Sequence, residues 1–182
     1  MVKEPRPGRA KTRLGQEIGH TVAARWYRQN ALTTLQRLRD PRWEIVLAVA
    51  PDHAGLTSTV WPRDLLRFPQ GAGDIGDRME RIFRAMPKGP VLIVGSDIPA
   101  IRRHHIERAF RALGSDEFVF GPATDGGYWL IGAKRVQAYQ AGLLQGVRWS
   151  SEHALNDSIA NLAGRRFALV STLSDVDIPS DL

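Results

Sequence analysis

The sequence of 182 residues contains no cysteine, which excludes disulfide bonds, thiolate metal sites and a cysteine nucleophile. Long apolar runs are also missing. Uncharged apolar runs such as residues 45–51 and 90–96 have the length of strands and fall far below the ~20 residues of a membrane-spanning helix. No apolar stretch follows the basic opening residues, as a signal peptide would require. We therefore expect a soluble, cytoplasmic protein that makes no use of a membrane.

Acidic residues are in the minority. Lysine and arginine number 25 against 19 aspartates and glutamates, which gives a formal net charge of +6. Such a field attracts anionic small molecules as well as nucleic acid. The basic residues are spread along the chain, without an aromatic-interleaved basic repeat or zinc-finger spacing, and this argues against nucleic acid as the partner.

Apolar periodicity predicts helices that alternate with short, apolar strands. The predicted helices cover residues 20–40, 75–86, 101–113 and 151–163, and the predicted strands cover residues 44–50, 90–95, 117–121, 128–133 and 167–171. This alternation is typical of an α/β fold, a mostly parallel sheet with helices on both faces. No repeat or low-complexity linker divides the chain. We expect one domain over residues 1–182, long enough to bury roughly two-thirds of its unfolded surface.

Several aspartates follow predicted strands directly. Asp97 follows "VLIVGS", Asp125 follows "FVFGPAT", and Asp175 and Asp177 follow "FALVSTL". Ligands in α/β folds bind beyond the carboxyl ends of the strands, and carboxylates gathered there repel one another unless a cation lies among them. Oxygen ligands of this kind suit Mg²⁺ or Mn²⁺. The alternative is that these aspartates cap helices or close turns.

Two motifs sharpen the expectation for the carboxylates. In "SDVDIP" the alternation of an extended segment places Asp175 and Asp177 on one side and Val176 on the other. In "GSDIPAI", Pro99 and small neighbours predict a tight, exposed turn at Asp97 rather than the start of a helix. Asp97, Asp175 and Asp177 are therefore the candidate metal ligands.

The segment "GPATDGGYWLIG" allows two interpretations. Gly126 and Gly127 either close a hairpin turn or let a ligand approach backbone N–H groups that a side chain would cover. Asp125 either belongs to that turn or positions or deprotonates an acceptor hydroxyl. The residues by themselves leave both interpretations open.

The opening segment "KEPRPGRAKTRL" resembles a phosphate-binding P-loop only faintly, because Ala10 stands where the second glycine of that pattern belongs. An ATPase or GTPase of that class is not expected. Arg9, Lys11 and Arg13 alternate along the segment as it leads toward a helix. Arginine can clamp a di- or triphosphate bidentately, with lysine as a point charge. The alternative is a solvated basic segment.

Six segments together resemble a known family. They are "KEPRPGRAKTRL", "QGAGDIGDRM", "GSDIPAI", "GPATDGGYWLIG", "VRWSSEHAL" and "LSDVDIPSDL". In this order and spacing they resemble the bacterial glycosyltransferase-like family associated with arsenosugar biosynthesis and selenium-domain proteins. That family is similar to the molybdenum-cofactor guanylyltransferases and to 2-phospho-L-lactate guanylyltransferase. The resemblance implies a GT-A-like α/β nucleotide-binding fold, the fold of nucleotide-diphospho-sugar transferases.

The resemblance also implies roles for individual residues. The nucleotide-binding candidates are Lys3, Gly8, Arg9, Lys11, Arg13, Asp74 and Arg78. Asp97, Asp175 and Asp177 are expected to hold Mg²⁺ or Mn²⁺, and Asp97 and Asp125 are the catalytic candidates. Gly126, Gly127 and Ser150 are expected to border the pocket of a small-molecule acceptor. In that family a longer strand precedes the basic loop, whereas only Met1 and Val2 do so here, so we expect a shortened first strand or a start further upstream.

The implied function is that of a metal-dependent transferase with a nucleotide-activated donor. A nucleotide sugar would make it a glycosyltransferase, and a nucleoside triphosphate would make it a guanylyltransferase-like nucleotidyltransferase. The resemblance favours the sugar, while five basic residues among the first fourteen slightly favour the triphosphate. A third interpretation is a basic binding module without enzymatic activity, which predicts salt-sensitive binding that needs no metal.

Overall fold

The computed structural model describes residues 1–135 and 141–181. The chain divides into two compact units. Unit 1 comprises residues 1–71, 95–103 and 175–182, and unit 2 comprises residues 72–94 and 104–174. The single domain over residues 1–182 stays a prediction.

Unit 1 is built on a three-stranded parallel sheet. Its elements are β1 (Val2–Lys3), α1 (Thr12–Ile18), α2 (His20–Leu38), β2 (Val46–Ala50), α3 (Asp52–Thr57) and β3 (Leu66–Pro69). The strand order is β1-β2-β3, with Val2 opposite Val49 and Val46 opposite Leu66. Tyr27 and Ala31 of α2 pack in one apolar cluster with the sheet residues, because buried residues of α2 recur at the three- and four-residue steps of a helix face.

Unit 2 is built on a four-stranded sheet. Its elements are α4 (Ile75–Ala85), β4 (Val91–Val94), α5 (Arg103–Ser115, of which Arg103 belongs to unit 1), β5 (Phe118–Pro122), β6 (Tyr128–Ala133), α6 (Ala154–Ala160) and β7 (Phe167–Leu169). The order is β4-β6-β5-β7, in which β6 runs antiparallel to both neighbours and β7 runs parallel to β5. β6 is antiparallel because residues 123–127 are too few for the crossover that a parallel pair requires. The direction of β6 departs from the mostly parallel sheet that was expected. The predicted α/β class is confirmed.

The predicted elements differ from the structure where local signals are short. The helix predicted over residues 151–163 shrinks to α6, since turns flank it and the left-handed backbone of Ala163 and Gly164 prevents its continuation. α1, α3 and β3 were not predicted, because four to seven residues are too few to establish a periodicity. No helix in the described ranges combines the length and apolarity that crossing a bilayer demands.

A buried carboxylate organises the segment after β6 in unit 2. Glu80 of α4 is 4 % exposed. Its Oε2 accepts the N–H of Gly142 at 3.0 Å, and its Oε1 accepts the N–H of Leu144 at 2.9 Å. Both oxygens therefore satisfy backbone donors that would otherwise lie inside the protein without a partner.

Glu80→Gln is expected to lower the free energy of unfolding by about 2 kcal/mol, because the amide group turns one acceptor into a donor that faces a backbone N–H. Urea denaturation measures the change. The matched control is Glu107→Gln on α5, whose exposed pair with Arg111 should contribute less than about 0.5 kcal/mol. Equal stability of the two variants would contradict the role given to Glu80.

Candidate functional site

Three carboxylates meet in unit 1. Asp97, Asp175 and Asp177 each offer one carboxylate oxygen, and these oxygens lie within 4.8 Å of one another. The side chains are 32 %, 25 % and 34 % exposed, so a ligand can reach them from solvent. The structure thus brings together the three residues that sequence reasoning named as metal ligands.

A lysine ammonium lies among the three carboxylates. Lys11 Nζ is 2.7 Å from Asp97 Oδ2, 2.7 Å from Asp177 Oδ1 and 3.7 Å from Asp175 Oδ2. Burial by itself would lower the pKa of Lys11, but the charge of Asp97 and the hydrogen bonds to Asp177 and Asp97 outweigh it, so this pKa is raised. Sequence reasoning expected Lys11 to hold phosphate, whereas here its partners are carboxylates.

The chemistry of the cluster fits a divalent cation. Asp97, Asp175 and Asp177 supply hard carboxylate oxygens, the ligands that Mg²⁺ and Mn²⁺ prefer. The ammonium of Lys11 is a stand-in cation at the same place, since it contacts oxygens of all three residues. Arg13 adds a second positive charge from the exposed side, with Nη1 3.1 Å from Asp177 Oδ2.

The basic loop, residues 4–11 between β1 and α1, brings Lys11 to the cluster. The loop leaves the sheet where the N–H of Glu4 donates to the carbonyl of Ala50 at 2.7 Å, and it is anchored by Ala10, which is 3 % exposed. Lys11 has φ 47° and ψ 55°, a left-handed conformation directly before α1. Such a backbone costs a residue with a Cβ roughly 1–2 kcal/mol, so the surrounding contacts must hold Lys11 in place.

The segment with Asp175 and Asp177 is anchored between them. Val176 is 2 % exposed and packs with Leu14 of α1 and Ala23 of α2, and its N–H donates to the carbonyl of Asp97 at 3.3 Å. In an extended segment the neighbours of an inward-facing residue point the other way. The alternation in "SDVDIP" is therefore realised, with the valine in the core.

Side chains of α2 hold the turn that carries Asp97. The hydroxyl of Tyr27 accepts the N–H of Lys3 at 2.9 Å and lies 2.7 Å from Ser96 Oγ, and Asn30 Nδ2 donates to the carbonyl of Ser96 at 3.1 Å. Burial raises the pKa of Tyr27, which keeps the hydroxyl protonated. Sequence reasoning missed Tyr27 and Asn30. The available signal was the presence of polar atoms near the apolar face of the predicted helix.

Two guanidinium groups fasten the remainder of the same loop. Arg37 Nη1 donates to the carbonyls of Pro99 and Ile101 at 2.8 and 3.2 Å, and Arg102 Nη1 donates to the same two carbonyls at 2.8 and 3.0 Å. The N–H of Ile101 donates to the carbonyl of Ile98 at 3.3 Å. Asp97 therefore lies in a braced turn and not at a helix cap.

The other phosphate candidates of unit 1 face solvent. The side chains of Lys3 and Arg9 are exposed, and the backbone N–H of Arg9 donates to the carbonyl of Arg6 at 3.0 Å. Gly8 has φ 71°, which places it in the left-handed region that glycine adopts without strain. Phosphate contacts of Lys3, Gly8, Arg9 and Arg13 stay predictions.

In unit 2 the nucleotide candidates Asp74 and Arg78 have structural partners. Asp74 caps α4: its Oδ1 accepts the N–H of Asp77 at 2.9 Å, and Asp77 Oδ2 accepts the N–H of Asp74 at 3.1 Å. This reciprocal pair is a capping box. Arg78 Nε donates to the carbonyl of Gly73 at 3.1 Å. Nucleotide binding by Asp74 and Arg78 stays a prediction.

The segment "TDGG" forms a turn. Asp125 Oδ1 accepts the N–H of Gly127 at 2.9 Å, and the N–H of Gly126 donates to the carbonyl of Ala123 at 3.2 Å. Gly126 has φ 84°, and a Cβ there would collide with the backbone oxygen of Glu152. The space beside Gly126 is thus filled by protein backbone. This accounts for the glycine without a ligand, and the acceptor roles of Asp125, Gly126 and Gly127 stay predictions.

Ser150, the remaining acceptor candidate, lies in a loop of unit 2. It is exposed and has a left-handed φ of 57°. Beside it, Arg148 Nη2 lies 2.8 Å from Asp157 Oδ1, and the hydrogen bonds from Arg148 hold the pKa of Asp157 well below its usual range. This ion pair ties the loop to α6, and the contact of Ser150 with an acceptor stays a prediction.

Two solved structures are similar to the chain. One, from Desulfovibrio desulfuricans G20, is described as a candidate nucleotide-diphospho-sugar transferase; it has a TM-score of 0.84 and 26 % identity, over 97 % of this chain and 80 % of that chain. The other is 4-diphosphocytidyl-2C-methyl-D-erythritol synthase from Anaerococcus prevotii DSM 20548, with a TM-score of 0.54 and 10 % identity, over 85 % of this chain and 82 % of that chain. The second likeness concerns the fold alone.

No curated protein matches the chain significantly. Residues 33–151 match the family described as "Uncharacterized protein conserved in bacteria (DUF2064)". The matched range includes Asp97 and the turn at Asp125, and it covers more than half of the chain. The chain therefore belongs to the bacterial protein family DUF2064.

Proposed function

We propose that this transferase-like enzyme depends on a divalent metal and uses a nucleotide-activated donor, in the first place a nucleotide sugar. The observation that carries the proposal is the cluster of Asp97, Asp175 and Asp177 around a cation, beside a loop of basic residues. The likeness to a candidate nucleotide-diphospho-sugar transferase supports the choice of donor. The resemblance of the motifs supports a relationship to the glycosyltransferase-like family associated with arsenosugar biosynthesis and selenium-domain proteins.

Asp97, Asp175 and Asp177 would hold the Mg²⁺ or Mn²⁺ ion. When bound, such an ion neutralises negative charge that develops on the leaving phosphate of the donor. Of the three carboxylates, Asp97 would serve best as the central ligand of the ion, because its turn is braced by Tyr27 and Asn30. A ligand held in this way keeps its position when the ion enters, which reduces the ordering cost of binding.

The exposed basic side chains of unit 1 would bind the donor phosphates. Lys3, Arg9 and Arg13 lie in β1, the basic loop and α1, and Gly8 leaves the loop backbone uncovered. Guanidinium groups bind phosphate oxygens bidentately, and positive charge beside a leaving diphosphate stabilises the transition state where charge grows. The chain would thereby fix the donor for attack by an acceptor.

The acceptor roles come from the sequence motifs. Asp125 would position the attacking hydroxyl, with Gly126, Gly127 and Ser150 as acceptor contacts, and Asp74 and Arg78 would contact the nucleotide. These assignments rest on the motifs "GPATDGGYWLIG", "VRWSSEHAL" and "QGAGDIGDRM". The small-molecule acceptor and the cytoplasmic location are proposals from the sequence.

Calorimetric titration with nucleoside triphosphates and nucleotide sugars, with Mn²⁺ and then with chelator, tests the proposal. We expect one nucleotide sugar to bind only with the metal, and Asp97→Asn to weaken that binding at least tenfold, because a neutral amide replaces a shared carboxylate ligand. The control is Asp64→Asn, an exposed carboxylate of unit 1 paired with Arg39, which should bind as the wild type does.

Other outcomes of the titration identify other functions. Metal-dependent binding of a triphosphate alone, with release of pyrophosphate on turnover, would make the protein a nucleotidyltransferase. Binding that ignores chelator and falls steeply with salt would indicate a basic binding module. Full affinity in a folded Asp97→Asn protein would refute the metal site.

Arg9→Gln is expected to weaken binding of the same nucleotide about tenfold, because one charge-assisted contact to phosphate is lost. The measurement is the same titration at constant ionic strength. Arg63→Gln removes an exposed arginine of unit 1 outside the basic loop and controls for net charge. If both variants bind alike, the loss reflects the general field of the protein and Arg9 makes no phosphate contact.

A further inference from the structure

Lys11 has two possible sets of partners, and it cannot satisfy both at once. Its ammonium is in contact with Asp97 and Asp177 at 2.7 Å, and its side chain is only 8 % exposed. A divalent ion on the same carboxylates would face this ammonium at close range, with like charges repelling inside a partly desolvated site. Entry of the ion therefore requires that Lys11 move away from the carboxylates.

The charges of the cluster allow a divalent ion to replace the ammonium of Lys11. Three carboxylates carry three negative charges, which Lys11 and Arg13 offset in part. If a divalent ion replaces the ammonium, the carboxylates still have a cation beside them, and the ammonium needs another anion as its partner. Lysine suits this movement, because it is a point charge on a flexible stem of four carbons, and the phosphates of a donor are the anion that the proposed function supplies.

We propose that Lys11 is an internal counter-ion that competes with the divalent metal for Asp97, Asp175 and Asp177. Phosphate on the donor draws Lys11 away, so metal and polyphosphate each make binding of the other more favourable. This inference rests on the proposed function for the identity of the metal site. In the free enzyme Lys11 occupies the carboxylates and the metal binds weakly, whereas in the donor complex Lys11 contacts phosphate and the metal binds tightly. Because coupling between two ligands is reciprocal, the metal strengthens donor binding by the same factor.

The left-handed backbone of Lys11 supports a competition built into the chain. With φ 47° at a residue that has a Cβ, the ammonium contacts hold a conformation that is unfavourable on its own. Val176 and Asp97 are joined by a backbone hydrogen bond, which keeps the backbones of the two acidic segments together if Lys11 leaves. The movable member of the cluster is therefore the lysine, and the carboxylates form its fixed part.

Lys11→Met tests the competition, because it keeps a side chain of similar length but removes the charge. In calorimetry with Mn²⁺ alone, we expect this variant to bind the ion at least tenfold more tightly than the wild type. Lys88→Met, an exposed lysine of unit 2, should bind as the wild type does. Lys11→Met/Asp97→Asn should lose the gain, which locates the effect at the carboxylates.

The second measurement uses inorganic pyrophosphate in place of a donor. Pyrophosphate should tighten Mn²⁺ binding more in the wild type than in Lys11→Met, and the difference between the two tightening factors excludes direct pairing of Mn²⁺ with pyrophosphate. Equal factors, or Mn²⁺ affinity in Lys11→Met equal to or below that of the wild type, would overturn the proposed competition.

The unsubstituted protein provides a third measurement if Lys11→Met does not fold. Competitive acetylation with mass spectrometry compares the reactivity of Lys11 with that of exposed Lys88, without Mn²⁺ and at saturating Mn²⁺. We expect Mn²⁺ to raise the relative reactivity of Lys11 severalfold, and an unchanged ratio would contradict displacement. Mn²⁺ binding that Asp97→Asn abolishes but Lys11 does not influence refutes this inference alone, whereas absence of Mn²⁺ binding at the carboxylates refutes the proposed function as well.

Discussion

Repulsion among three carboxylates is the constraint on which unit 1 depends. Oxygens of Asp97, Asp175 and Asp177 lie within 4.8 Å of one another, and a cation among them offsets the repulsion of their charges. The chain supplies that cation from Lys11, at the end of a loop far away in the sequence. Loop, turn and carboxyl-terminal segment are therefore held to one another by charge as well as by packing.

One helix supports both acidic segments. α2 packs against the buried valine between Asp175 and Asp177 through Ala23, and it binds the turn of Asp97 through Tyr27 and Asn30. Apolar contact fixes the first segment and hydrogen bonds fix the second, so one helix positions both acidic segments. A rigid frame of this kind preserves a charged site that would otherwise spread apart.

The chain has a known type of fold. The structure from Desulfovibrio desulfuricans G20 shares the architecture over nearly the whole chain at 26 % identity. A fold hosts many activities, so function has to be argued from the site that it carries. Here the site is a carboxylate cluster with an internal cation, and the proposed exchange of that cation for a metal would connect the observed contacts with transfer chemistry.

The sequence by itself determined the α/β class, the longer helices and the choice of candidate site residues. α2 and α4 were predicted because apolar spacing is a local property that each segment displays on its own, and the side of the chain on which Asp175 and Asp177 lie follows from the alternation around Val176. The reversal of β6 could have been inferred from the short segment that precedes it.

Only the tertiary structure decided what the named residues contact. Lys11 faces carboxylates, Gly126 makes room for protein backbone, and Asp74 caps a helix. Each residue type is equally compatible with a ligand when only the sequence is known. The choice depends on partners that lie far away along the chain, and local spacing carries no information about distances between such segments. Electrostatic contacts form when the fold brings those segments within a few ångströms of one another.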